Sequence, residues 1–207
     1  EWYALVRGLE IKEAAGGSVT VLNVGPQEND SIIRKALAIG ADEAVRINAE
    51  PKDALYTAKE IAAYAKDKSF DMILCGKETI SYNGSQVPGM LAALMDCPFV
   101  SLATKLDMEG NTATIERDIE GGTEVVSVDT PFVVSASKGM AEARIPNMRG
   151  IMAARTKPLN VVEPSNAESA TEIVSFELPP AKGEVTMIDA EHPEKLLELL
   201  RNEAKVI

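Results

Sequence analysis

The first half of the chain alternates between apolar residues at helical spacing and short apolar runs. A helical stripe comes first and ends before Gly16-Gly17. Its apolar members are Trp2, Leu5, Val6 and Leu9. Strands and helices then alternate: a strand over residues 19–24, a helix between Asn29 and Gly40, a strand over 43–48, a helix over about 52–67 and a strand over 71–75. This order predicts an α/β fold with a doubly wound, mostly parallel sheet.

The pattern changes after residue 98, where β-rich stretches are separated by turn sequences such as Glu109-Gly110-Asn111 and Gly121-Gly122. Glycine-containing turns between short strands are typical of hairpins. The stretches cover residues 99–106, 112–117, 123–128 and 132–137. We therefore expect an antiparallel hairpin extension, with Asp118, Glu120 and Glu124 facing solvent at its turn.

The last third of the chain differs again in composition. Residues 138–158 are basic for this chain and carry Met140, Met148 and Met152, of which we expect Met152 to pack in the core. Residues 158–183 hold four prolines and little periodicity, which predicts an extended arm. A final helix follows Pro193. The predicted division is an α/β domain over residues 1–158 and an arm with a helix over 159–207.

Composition limits the classes of partner. The 207 residues are 45% hydrophobic, enough for one sizeable core. A net charge of −11 repels phosphate backbones and anionic headgroups, so nucleic-acid and membrane-surface binding are disfavoured. The two cysteines, Cys75 and Cys97, lie in or beside apolar runs and indicate a reducing compartment. The sequence contains no apolar run of about 18 residues, so we expect no direct membrane insertion.

The segment with most chemical content leaves the carboxyl end of the strand at residues 71–75. Ligands of open parallel sheets bind at that edge. Two glycines permit close backbone approach, and the next helix offers free N–H groups to a phosphate. We call residues 76–87 the nucleotide loop and interpret them as a nucleotide-binding site, with Asn23–Pro26 as a second wall of that site. The alternative is an ordinary surface loop. The candidate residues are Val24, Gly76, Lys77, Glu78, Thr79, Ile80, Ser81, Tyr82, Asn83, Gly84, Ser85, Gln86 and Val87.

The sequence gives little indication of catalytic chemistry. His192, the only histidine, precedes Pro193 and is interpreted as a capping or surface residue. Cys75 and Cys97 lack the paired spacing of a metal site, and Cys75 is interpreted as a buried strand residue. Lys77 either approaches a phosphate or only marks the end of the strand. We expect neither catalytic residues nor a metal site.

Three stretches resemble the beta subunit of electron transfer flavoprotein. They are GKETISYNGSQVPGM, IERDIEGGTEVVSVDTPFVVSASK and EARIPNMRGIMAARTKP. The middle stretch is the most specific, since it combines a basic residue, an acidic residue, a paired-glycine turn and a proline followed by branched residues. The resemblance extends over essentially the whole chain, from the first helix to the last.

The resemblance implies an electron-carrier subunit without catalytic residues of its own. Such proteins pair with a larger alpha subunit that holds the redox FAD, and they bind AMP as a structural ligand. Position by position, Ser85, Gln86 and Val87 would surround the phosphate and Val24 would lie near the base. Many members have aspartates where this chain has residues 81 and 83. The alternatives are a bifurcating subunit that binds its own FAD, and a standalone nucleotide-binding or nucleotide-hydrolysing domain.

The resemblance also implies that the basic segment docks partner proteins, namely acyl-CoA or other flavin dehydrogenases that donate electrons. Met148 aligns with the apolar anchor of the family. Methionine is flexible and polarizable, which suits a carrier that serves several enzymes. For Arg144 and Arg149, the alternative is a solvated position at the rim of the surface. The residues of this docking segment are Arg144, Ile145, Pro146, Asn147, Met148 and Arg149.

Further expectations concern the ends of the chain. The first strand of the family and the segment before the first helix are absent here, so we expect the natural protein to contain them, with Glu1 adjoining the missing wall of the adenine pocket. The arm and the last helix would pack on the alpha subunit. We expect a bacterial cytoplasmic protein, or a mitochondrial matrix protein if it is eukaryotic.

Overall fold

A computed structural model describes residues 2–207 and contains six α-helices and eight strands in that range. The helices are α1 (Trp2–Ala15), α2 (Asp30–Ile39), α3 (Ala54–Ala65), α4 (Val87–Met95), α5 (Met148–Ala154) and α6 (Glu194–Leu199). The strands are β1 (Thr20–Gly25), β2 (Glu43–Asn48), β3 (Met72–Gly76), β4 (Phe99–Glu109), β5 (Thr112–Ile119), β6 (Gly122–Asp129), β7 (Phe132–Ala136) and β8 (Leu159–Val162). The α/β fold class is therefore confirmed.

The strands form two sheets. Three parallel strands make the first, in the order β1-β2-β8, and the second has the order β3-β7-β4-β5-β6. In the second sheet β3, β7 and β4 pair in parallel, whereas β4, β5 and β6 pair antiparallel. The parallel strands bring the carboxyl ends of β3 and β7 to one edge, which positions the nucleotide loop.

Helices cover both faces of the second sheet. Along β7, Phe132, Val134 and Ala136 pack in a core cluster with residues of α1, whereas Val133 packs with residues of α3 and α4. Successive side chains of a strand point to opposite faces, so α1 lies on one face and α3 and α4 lie on the other. This is the doubly wound arrangement that the alternation of strands and helices predicts.

The interpretation of residues 132–137 as part of the antiparallel extension is wrong. All five residues of β7 are buried, and β7 pairs in parallel with β3 on one side and β4 on the other. A continuous apolar run is the pattern of a parallel strand covered by helices on both faces. The hairpins themselves are β4-β5 and β5-β6, and Asp118, Glu120 and Glu124 face solvent as expected.

Within the expected arm, residues 159–162 form β8, which pairs in parallel with β2. The division of the chain at residue 158 stays a prediction. The chain divides into two compact units, the first ending at Glu172 and the second comprising Ile173–Ile207. Residues 163–171 are tied to α3. The buried Glu60 carboxylate accepts hydrogen bonds from the Ser165 backbone N–H (2.7 Å) and hydroxyl (3.0 Å). Asp53 accepts one from the Ser169 hydroxyl (2.7 Å).

Two strand edges are relevant to the expected leading strand. Neither β1 nor β3 has a second partner among residues 2–207. Leu74 of β3 and Val19, which directly precedes β1, approach α1 near Gly8, where an added Cβ would lie 3.2 Å from Leu74 Cδ1 and 3.9 Å from Val19 Cγ2. The leading strand stays a prediction. The expected role of Glu1 falls outside the described residues and also stays a prediction.

Candidate nucleotide and docking sites

The nucleotide loop connects β3 to α4 at the carboxyl edge of the second sheet. Asn83 and Ser85 have left-handed backbone conformations, with φ of 48° and 51°, on either side of Gly84. The Asn83 N–H donates to the Thr79 carbonyl (2.9 Å) and the Ser85 hydroxyl to Glu78 Oε2 at 3.4 Å. The loop therefore combines two strained residues with few internal hydrogen bonds.

The start of α4 supplies donors next to these residues. The helix begins at Val87, and the Met90 N–H donates to the Gln86 carbonyl (3.1 Å) as its first intrahelical bond. The N–H groups of Val87 and Gly89 have no partner within the helix, and Pro88 has no N–H. Gln86, the N-cap residue, makes no side-chain capping bond. An anion at this point would meet free donors at the positive end of a helix.

A cavity of about 250 Å³ lies where β3 and β7 end, between these strands and the start of α1. The nucleotide loop contributes Gly76, Lys77 and Glu78, and the opposite side contributes Ser137 and Lys138. Lys77 forms an ion pair with Glu78 (3.0 Å). Residues 79–86 are exposed and do not line this cavity. The sequence did not indicate Ser137 and Lys138 as site residues, because their position depends on the parallel pairing of β7.

The second predicted wall, Asn23–Pro26, follows β1. The Asn29 side-chain amide donates to Asn23 Oδ1 (3.1 Å), and these two side chains lie against Gly25. A Cβ added at Gly25 would lie 2.1 Å from Asn29 Nδ2, so a larger residue here would displace the Asn29 amide. Val24 is buried in a cluster with Ile47 and Tyr56. The Val24 side chain therefore faces the core, and any contact with a base would involve its backbone.

The docking segment is held by specific contacts at both of its ends. The Arg144 guanidinium donates to both carboxylate oxygens of Glu13 (2.6 and 2.9 Å). Asn147 caps α5 by accepting from the Gly150 N–H (2.8 Å). A Cβ added at Gly150 would lie 2.2 Å from the Ala38 carbonyl oxygen, so glycine lets α5 approach α2 closely. Arg144 therefore links the docking segment to α1 and is not an unpaired charge at the rim of the surface.

Two large apolar side chains of the docking segment face solvent. Ile145 is 91% exposed and Met148 is 73% exposed. Ile145 is thus the more exposed of the two. The prediction that Met152 packs in the core is wrong, because it is 55% exposed; Met140 is the buried methionine of this region. A cavity of about 1110 Å³ adjoins the segment between α1, α2 and α5, and its lining includes Ile145 and Pro146.

The remaining candidates are consistent with structural roles. Burial raises the pKa of the Cys75 thiol to about 12, so this side chain stays protonated and is a poor nucleophile. His192 is exposed, and its Nδ1 lies 3.0 Å from Glu194 Oε1. Within residues 2–207 there is neither a group of three or more acidic, histidine or cysteine side chains placed to hold a metal ion, nor a helix long and apolar enough to cross a membrane.

The fold and the two segments define an open α/β domain with a glycine-containing loop at the carboxyl edge of its sheet and a second, exposed apolar segment. A family model described as the electron transfer flavoprotein domain matches residues 1–167 of the chain. The chain is also 37% identical to the electron transfer flavoprotein subunit beta of Bacillus subtilis, over 99% of this chain and 85% of that protein. This protein belongs to the family of electron transfer flavoprotein beta subunits.

Other relatives agree. The chain is 34% identical to the electron transfer flavoprotein subunit beta of Syntrophomonas wolfei, over 98% of this chain and 82% of that protein. It is 31% identical to the human electron transfer flavoprotein subunit beta, over 79% of this chain and 68% of that protein. The family resemblance noted in the sequence is confirmed. Membership places this chain among proteins of electron transport.

Proposed function

We propose that this chain is the beta subunit of a heterodimeric electron transfer flavoprotein that holds AMP as a structural ligand in the nucleotide loop. In this proposal an alpha subunit carries the redox FAD, and the chain itself performs no catalytic step. The observation that carries the proposal is the left-handed backbone at Asn83 and Ser85 directly before the free N–H groups of α4. Such backbone turns, next to a helix start, form concave sites for anions.

The charges in the loop favour binding of a phosphate over its chemical activation. Lys77 is paired with Glu78, so the binding donors would be backbone N–H groups. A phosphate bound by backbone groups is positioned without being activated. The left-handed residues cost about 1–3 kcal/mol each, which a bound ligand offsets by stabilising the same conformation. The nucleotide would then act as part of the scaffold.

Released nucleotides test the AMP assignment. The purified heterodimer is denatured, and the nucleotides in the supernatant are separated and quantified. We expect one FAD and one AMP per heterodimer. Two FAD and no AMP would instead identify the bifurcating class, in which this subunit binds its own flavin. Turnover of ATP by the chain in the absence of any alpha subunit would identify a standalone nucleotide-hydrolysing domain.

A charge placed in the loop locates the site. Ser85→Asp puts a carboxylate beside the proposed phosphate, and aspartate tolerates a left-handed backbone. We expect loss of AMP with retention of FAD. Ser127→Asp on the exposed face of β6 is the matched control and should retain both nucleotides. Equal AMP content in the two variants would remove the loop from the site.

We further propose that the docking segment binds the dehydrogenases that donate electrons. Ile145 and Met148 offer apolar side chains to partner pockets, and Ile145 is the better candidate anchor because it is more exposed. Ile145→Asp and Met148→Asp should each reduce electron transfer from a partner dehydrogenase by at least about tenfold while the nucleotide content stays constant. The control is Val125→Asp, at another exposed apolar residue, on β6. Unchanged rates in both docking variants would exclude the segment.

A further inference from the structure

A buried charged side chain lies behind the second wall, Asn23–Pro26. Arg46 of β2 is only 4% exposed, although arginine is almost never fully buried without partners. Asn23 lies opposite Arg46 in the parallel register of β1 and β2. Successive side chains of a strand point to opposite faces, so both side chains lie on the face that α2 covers. Burial of a charge at this position costs free energy, which its contacts must offset.

Arg46 binds groups from three different segments of the chain. Its Nε donates to Asp30 Oδ1 at the start of α2 (2.7 Å). Its Nη1 donates to the Gly25 carbonyl at the end of β1 (3.1 Å) and to Asn48 Oδ1 at the end of β2 (2.8 Å). A guanidinium is planar and offers its donors in fixed directions. One side chain therefore sets the relative positions of two strand ends and a helix start.

The backbone of the wall is also held by its neighbours. The Asn29 side-chain amide donates to Asn23 Oδ1 (3.1 Å), and a Cβ added at Gly25 would meet both of these side chains. The preceding side chain, Val24, is anchored in the core on the opposite face of the sheet. The backbone from Val24 to Gly25 is therefore fixed by contacts on both faces.

Stability alone does not account for the Arg46 network. A buried ion pair often contributes little net stability relative to well-packed apolar side chains, because desolvation offsets the attraction between the charges. Such a pair can instead select one arrangement of the groups that it joins. The groups that Arg46 joins all lie at the carboxyl edge of the first sheet, and ligands of open parallel sheets bind at that edge.

We propose that Arg46 is a positioning residue for base recognition, which holds the backbone of Val24 and Gly25 in an arrangement that distinguishes adenine from other purines. This inference rests on the proposed AMP site. Adenine presents an acceptor at N1 and a donor at its 6-amino group, whereas the hypoxanthine base of IMP presents a donor at N1 and an acceptor at O6. Backbone N–H and C=O groups in fixed positions match only one of these patterns, so a rigid wall makes the site selective.

Competition between nucleotides tests this role. Heterodimers of the natural chain, Arg46→Met and Arg34→Met are loaded with radiolabelled AMP, and the label is displaced by unlabelled AMP or IMP. Arg34 is the matched control, because it also donates to backbone carbonyls, those of Ala154 (2.7 Å) and Lys157 (2.6 Å), and neither belongs to the wall. The natural chain should prefer AMP over IMP by at least about tenfold. In Arg46→Met we expect AMP release at least about tenfold faster and most of this preference lost, whereas Arg34→Met should keep both properties.

The other results have defined meanings. Faster release of AMP with an unchanged preference over IMP would mean that Arg46 only stabilises the fold, and would overturn the inference. Equal changes in Arg46→Met and Arg34→Met, unchanged release in Arg46→Met, or a natural chain that binds AMP and IMP equally would overturn it as well. A natural heterodimer that holds no AMP would contradict the proposed function itself, before any variant is compared.

Arg46→Lys keeps the inference testable if Arg46→Met does not fold. Lysine retains a positive charge beside Asp30, but its single nitrogen cannot reproduce the fixed directions of the two guanidinium nitrogens that bond Asp30 and the Gly25 carbonyl. We expect a folded heterodimer that releases AMP at least about threefold faster than the natural chain and prefers it less strongly over IMP. A lysine variant that matches the natural chain in both properties would show that charge alone is sufficient, and would overturn the positioning role.

Discussion

The nucleotide loop and the docking segment are both exposed, yet the protein holds them in different ways. The docking segment is fixed by the Arg144–Glu13 pair, by the Asn147 cap and by the close approach of Gly150 to α2. The nucleotide loop has no comparable tie among residues 79–86, and it contains two left-handed residues. Contacts within the chain hold the docking segment, whereas the proposed ligand would complete the nucleotide loop.

This difference has a physical consequence for binding. A preformed surface loses little conformational entropy when it docks, so most of its contact energy contributes to affinity. A loop with unpaired N–H groups recovers its strain and its missing hydrogen bonds only when a ligand is bound. Substitutions that break the internal contacts of the docking segment should therefore destabilise the free chain. Equivalent substitutions in the nucleotide loop should leave its stability unchanged.

The largest expected effect comes from two glycines, Gly150 directly after the docking segment and Gly84 in the nucleotide loop. Gly150→Ala forces its Cβ against the Ala38 carbonyl oxygen, which is backbone and cannot rotate away. We expect a loss of about 1–3 kcal/mol in the free energy of unfolding, measured by urea titration of the free chain. Gly84→Ala is the matched substitution in the nucleotide loop, where a Cβ meets nothing within 4 Å. Its effect should stay within about 0.5 kcal/mol, and equal losses would contradict the comparison.

Local sequence signals predicted the position of the nucleotide loop between a strand end and a helix start, because the strand end, a glycine and the helix start lie within a dozen residues. The same holds for β1, β2 and β3, whose apolar runs are bounded by helices. The role of the loop as a nucleotide site stays a prediction. The sequence did not predict the partners of β7. Phe132–Ala136 follows two hairpins, and only its parallel pairing with β3 and β4 shows that it lies inside the parallel part of the sheet. For the same reason, the sequence did not predict that Ser137 and Lys138 line the small cavity.

Short elements that depend on tertiary contacts were also missed. α5 has seven residues, too few for stability by itself, and it forms where Gly150 lets it pack on α2. β8 has four residues, and its pairing with β2 is long-range. Neither element has enough residues to show a period in the sequence. The Arg144–Glu13 pair joins residues that are 131 positions apart, which no local pattern can indicate.

A smaller effect is expected at the two helix starts. Asn147→Ala removes the acceptor for the Gly150 N–H and should cost about 1 kcal/mol in the free energy of unfolding. Amides in the first turn of α5 should exchange faster in this variant. Gln86→Ala at the start of α4 is the control, because Gln86 makes no side-chain capping bond. We expect that variant to keep the stability of the free chain, and a loss as large as that of Asn147→Ala would show that the nucleotide loop is also preformed.

The smallest expected effect is the pH dependence of the Arg144 tie. The hydrogen bond from Arg144 holds the pKa of Glu13 below its usual value of 4.5. A carboxyl group with a lowered pKa stabilises the folded state fully above its unfolded pKa, and that contribution is lost as pH falls through the folded pKa. Because Glu13 is largely exposed, solvent screening limits the contribution to a few tenths of a kcal/mol. Unfolding free energies of the natural chain and of Glu13→Gln, measured between about pH 7 and pH 3, should therefore converge on the acid side. A constant difference across this range would mean that Arg144 is held by its packing and not by its charge, and the docking segment would then be preformed for a reason other than the ion pair.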